Sequence, residues 1–95
     1  MNQEQTFGRP MAGKSVTVAY TGTAGTTAAL PAETKAVRVI ATTACFIEIG
    51  LDPTAVANTG MYLAAGIAEY FAAQPDVKVS AIQVASGGSI YVTPF

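Results

Sequence analysis

The chain has 95 residues, of which 51% are hydrophobic and 12% charged, and five basic against six acidic side chains leave a net charge of −1. That balance argues against a nucleic-acid partner, which calls for a basic face to neutralise phosphates, and against a helix lying on an anionic membrane. No His and a single Cys leave too few ligands or nucleophiles for a catalytic or metal centre, and no intrachain disulfide can form.

The length implies one domain. Residues 1–13 are polar at first and then broken by Gly8, Pro10 and Gly13, with no periodic apolar pattern. They are expected to be an extended N-terminal arm, and residues 14–95 the folded domain. Ordering such an arm costs roughly 1–2 kcal/mol per residue. A docked arm therefore needs an external surface, with Phe7 as anchor, Arg9 beside it and Pro10 stiffening the chain.

Residues 15–20 alternate, with Val16, Val18 and Tyr20 on one face, which predicts a half-buried strand. Residues 21–27 read as a loop of Gly and small hydroxyl residues. In the apolar stretch 28–31, Pro31 restricts any strand to an edge or an ending. Ala36–Ala41 and Cys45–Gly50 are predicted strands joined by a short Thr-Thr-Ala connection. Val37, Val39 and Ala41 share one face of the first, and Cys45, Ile47 and Ile49 one face of the second. The opposite faces carry Arg38 with Ile40 and Phe46 with Glu48, so neither is purely polar.

Residues 51–60 form a predicted loop around Asp52-Pro53 and Asn58. Residues 61–73 are ambiguous. Their Ala content favours helix, while Gly66 and the β-formers Tyr62, Ile67, Tyr70 and Phe71 favour two short strands turning at Ala65-Gly66. We adopt the strands. The segment is also too short to span a bilayer, and Gly66 and Glu69 interrupt it. Residues 77–85 follow as a strand, with Val77, Val79 and Ala81 on one face and Ile82 and Val84 falling on the other. Adjacent Gly87 and Gly88 suggest a tight turn with positive φ. Residues 89–93 then return, Ile90 and Val92 inward and Tyr91 outward, completing an expected C-terminal hairpin.

Short strands with turn signals every eight to twelve residues predict an all-β domain. The architecture is a small antiparallel β-sandwich or partly closed barrel, jelly-roll or Ig-like. An average domain is about 25% charged. This one is so sparsely charged that either its alanines are simply exposed, or neighbouring molecules cover much of its surface. We adopt the second reading and expect Ile40, Phe46, Ile82 and Val84, with Phe7, Arg9 and Pro10 of the arm, to bind partners.

Chemistry is scarce. Cys45 reads as a core residue. The pairs Glu48 with Asp52 and Glu69 with Asp76 read as solvated acids, not a catalytic couple. The TGTAGTT loop lacks the Lys of a phosphate-binding loop. Tyr62, Tyr70 and Tyr91 offer material for a sugar platform, although core and interface packing suits them better. No enzyme activity, metal or cofactor is expected.

The run VRVIATTACFIEIG, then DPTA, MYLAAGIAEYF and VKVSAIQVASGGSIYVT resembles a family of small virion structural proteins of tailed bacteriophages. The likeness leaves the arm aside. It implies a capsid decoration or cement protein assembled in the host cytoplasm and placed on the capsid surface. Its implied partners are the major capsid protein or another virion protein, and itself, as a homotrimer. It is equally compatible with a tail or head–tail connector component. A host-surface glycan-binding module is the alternative from another class.

Overall fold

A computed structural model describes residues 9–95. Its elements are β1 (Val16–Tyr20), β2 (Gly25–Thr26), β3 (Ala36–Ala41), β4 (Cys45–Gly50), β5 (Met61–Leu63), β6 (Glu69–Ala72), β7 (Lys78–Gln83) and β8 (Gly88–Pro94). All pairings between the named strands are antiparallel and build two four-stranded sheets, in the orders β1-β8-β3-β6 and β2-β7-β4-β5; a single parallel bridge joins Ala41 to Ala65. The pairs β1·β8, β2·β7, β3·β6 and β4·β5 nest like one long hairpin whose closed end is residues 51–60. The pairs β3·β8 and β4·β7 wrap that hairpin into two layers. This is the eight-stranded jelly roll, which resolves the choice left open among sandwich types.

The alternation read from the sequence becomes the core. Val37, Val39, Ile90 and Val92 of the first sheet face Cys45, Ile47, Leu63, Val79 and Ala81 of the second, all fully buried. The stretch 61–73 holds two short strands and no helix, and these, β5 and β6, belong to opposite sheets. Gly66, at φ +72°, turns the chain between them, where an L side chain would be strained.

Three expectations are corrected. First, β7 and β8 make no hairpin: they lie in different sheets. Residues 84–87 cross between layers. Second, neither Gly87 nor Gly88 has positive φ. Gly88 is required for close approach instead, because a Cβ there would strike the hydroxyls of Thr43, Thr42 and Tyr20. Third, residues 21–27 are not all loop. Gly25 and Thr26 pair with Ala81 and Ser80. The ladder continues loosely as Thr27 and Leu30 donate N–H bonds to the carbonyls of Val79 and Val77, both 2.9 Å. No alternation marks β2, because Gly25 must stay bare where its Cα meets the Ala19 carbonyl of β1.

Candidate interaction surface

The outer face of the second sheet is built by register. Ile82 lies opposite Phe46, and Phe46 opposite Tyr62, so one row crosses β7, β4 and β5. The Phe46 and Tyr62 rings meet edge to face with centroids 5.9 Å apart, a favourable arrangement for aromatic quadrupoles. Val84 stands two residues beyond Ile82. Its N–H donates to the Ala44 carbonyl at 3.3 Å, which holds it beside the row. Phe46 and Ile82 are half-buried, whereas Tyr62 and Val84 are 58% and 44% exposed. None of the four carries charge.

The neighbouring row on this face is covered only at its centre. Glu48, Ser80 and Thr26 align across β4, β7 and β2, and the loop of residues 51–60 folds over Ser80. The buried Ala55 N–H donates to Ser80 Oγ at 2.9 Å, and Ser80 is fully buried despite facing outward. The loop thus covers Ser80, while Glu48, Thr26 and the aromatic row stay open to solvent.

Three of the expected partner residues, Phe46, Ile82 and Val84, converge on this row. Ile40 does not join them. It lies opposite Tyr91 on the outer face of the first sheet, with Arg38 in the next row. Arg9 and Pro10 are exposed, and the following Met11 N–H donates to the Pro94 carbonyl at 2.9 Å. Phe7 lies outside the described residues. Tyr62, read from the sequence only as core or interface packing, is not among the named partner residues. Its signal was its place beside core Leu63 in a three-residue strand, which alternation puts outward.

The remaining chemistry is dispersed. Tyr62 is on the second sheet while Tyr70 and Tyr91 are on the first, so the three tyrosines form no single platform. Glu48, Asp52, Glu69 and Asp76 are each exposed, and no three His, Cys, Asp or Glu come together among the described residues. Cys45 is fully buried. Burial pushes its thiol pKa up, and the nearby Tyr20 hydroxyl offsets part of the rise. Burial also raises the Tyr20 hydroxyl, which sits 2.7 Å from the Thr43 carbonyl and 2.8 Å from Thr43 Oγ1.

A second feature is a cleft of about 500 Å³ where β5 and β6 leave the two layers unjoined. Ile49, Met61, Phe71 and Val77 line it, and Gln74 is its one polar side chain.

No protein-family model, curated protein or solved structure matches the chain.

Proposed function

We propose that the chain is a non-enzymatic virion structural protein, a capsid decoration or cement protein that seats the outer face of its second sheet on the major capsid protein lattice. The observation that carries this is the uncharged row Tyr62–Phe46–Ile82 with Val84 beside it. Such a row is poorly suited to water and well suited to a desolvated contact, in which aromatic side chains dominate binding. The motif likeness of residues 37–93 to phage virion proteins supplies the choice of partner. The jelly roll is compatible with it, since viral capsid domains use this topology, but lectins and cupins do too, so fold enters only as analogy.

The test is location followed by mutation. An antibody against the chain should label the shell of virions from its source. Label confined to the tail axis would favour the connector reading, and unlabelled virions would overturn both. Phe46→Ala should then weaken binding to virions stripped of the chain about 30-fold, the loss of one aromatic anchor of roughly 2 kcal/mol. Arg38→Ala, on the other sheet, should leave binding unchanged. Equal binding by the Phe46→Ala chain would remove this face from the proposal.

A further inference from the structure

The four sheet edges are not alike. β2 has two residues, β5 three, and β6 four with Glu69 among them. Sheets ordinarily blunt an edge by shortness, charge, proline or a bulge. β1 is five residues long, Val-Thr-Val-Ala-Tyr, and has none of these.

Ladder parity shows which of its groups face out. On the far side of β8, Thr42 N–H donates to the Ser89 carbonyl and Phe95 N–H to the Ala36 carbonyl, so odd residues of β8 bond toward β3. Its even residues therefore bond toward β1, as Met11 N–H does at Pro94. Val16 and Val18 of β1 are satisfied by Val92 and Ile90. Ser15, Thr17 and Ala19 turn their main-chain groups outward. The Ala19 carbonyl is sheltered by Gly25. The N–H and C=O groups of Ser15 and Thr17 have no main-chain partner among the described residues.

We propose that this edge pairs with the same edge of a second copy, antiparallel about a two-fold axis through Val16. Ser15 of each copy then lies opposite Thr17 of the other, which closes four main-chain hydrogen bonds. The two half-buried Val16 side chains meet directly on the inward face, and the Ser15 and Thr17 hydroxyls align on the outward face. The axis cannot sit at Thr17, because Ser15 of the second copy would then meet Ala19, where β2 stands. With the axis at Val16, the incoming chain leaves before reaching β2. It turns at residues 11–14, where Lys14 N–H bonds the Met11 carbonyl at 3.2 Å and Gly13 has φ +72°. The two Lys14 residues end about 14 Å apart along the strands, beyond the screening length of about 8 Å at physiological salt. The product is a closed, isologous pair with one continuous eight-stranded sheet. Its overlap is short of the 1,200–2,000 Å² that stable interfaces bury, so pairing depends on concentration. It does not involve the outer face of the second sheet.

The full-length protein tests this by sedimentation equilibrium. Average mass should climb from 9.7 kDa toward twice that value as concentration rises. Val16→Cys should form a disulfide-linked dimer under mild oxidation, because directly opposed residues fall within the Cα spacing that a disulfide spans. Thr17→Cys should not, and buried Cys45 does not compete. Ser15→Lys/Thr17→Lys, which sets lysines opposite each other at exposed positions, should weaken pairing at least tenfold with the circular-dichroism spectrum of the folded chain retained, although it removes the Ser15 Oγ–Thr93 Oγ1 and Thr17 Oγ1–Ile90 carbonyl bonds. A constant 9.7 kDa up to about 1 mM, a trimer mass, or faster cross-linking at Thr17→Cys than at Val16→Cys would overturn the inference. Loss of virion binding with pairing intact would sink the proposed function and leave this pairing standing.

Discussion

Gly88→Ala puts the packing at the end of the two layers to a direct test. A Cβ at this position would contact Thr43 Oγ1, lie 2.6 Å from Thr42 Oγ1 and 3.0 Å from the Tyr20 hydroxyl. Those groups are already committed. Thr42 Oγ1 accepts the Ser89 N–H at 3.0 Å, and the Tyr20 hydroxyl bonds to Thr43 at 2.7 and 2.8 Å. Overpacking costs about 1–3 kcal/mol, and each displaced hydrogen bond adds about 1 kcal/mol. The lower entropy of an unfolded chain with Ala in place of Gly returns about 0.4–1 kcal/mol. The expected loss is about 2–4 kcal/mol, a large share of the 5–15 kcal/mol typical of a domain. With a urea m-value of about 2 kcal/mol/M, the midpoint should fall by about 1–2 M with m unchanged. Gly50→Ala is the control. Its Cβ would meet nothing within 4 Å, so that variant should be neutral or up to about 1 kcal/mol more stable. Repeating Gly88→Ala in a Thr43→Ala background should shrink the cost, since one of the struck oxygens is gone. A loss below about 1 kcal/mol, or the same loss in both backgrounds, would refute the steric account.

Four further outcomes follow from the same geometry. Ser80→Ala removes the acceptor of the buried Ala55 N–H, so it should cost about 1–3 kcal/mol and speed amide exchange at Ala55; unchanged exchange would contradict the loop anchoring. Ile47→Ala, in the fully buried core, should cost about 2–5 kcal/mol by urea unfolding, against less than about 0.5 kcal/mol for Leu51→Ala at a 63% exposed site. Burial raises the folded-state pKa of Cys45 and Tyr20 above their ordinary values of 9.0 and 10.0. As pH climbs, the unfolded chain therefore loses those protons first. Stability should hold below the thiol's ordinary value and fall above it; Cys45→Ala should delay the fall, and stability flat to about pH 11 would count against the burial argument. Asp76 has φ +65°, so Asp76→Val should cost about 1–2 kcal/mol and Asp76→Gly almost nothing; equal melting temperatures for the two would discount that strain.

Alternation of apolar and polar side chains located most strands, and it did so without tertiary information. Ala36–Ala41 and Cys45–Gly50 end where the sequence pattern ends, and Val37, Val39, Ile47, Val79, Ile90 and Val92 point inward as their parity requires. The reason is local: a pleated strand presents successive side chains to opposite faces whichever strand lies beside it. For the same reason alternation says nothing about the neighbour. β1 pairs with β8 from the other end of the chain, and the likeness of residues 77–85 and 89–93 to a hairpin dissolves because their partners, β4 and β3, lie in different layers. The parity of Ile40 and Phe46 likewise shows only that each points away from the core. Which of two outer faces each joins depends on its sheet, so Phe46 meets Tyr62 and Ile82 while Ile40 meets Tyr91. β2 and the role of Gly88 left no local mark: β2 is a two-residue strand defined by its pairing with Ala81 and Ser80 far along the chain, with Gly25 kept bare by the nearby Ala19 carbonyl, and Gly88 is set by the distant hydroxyls of Thr42, Thr43 and Tyr20.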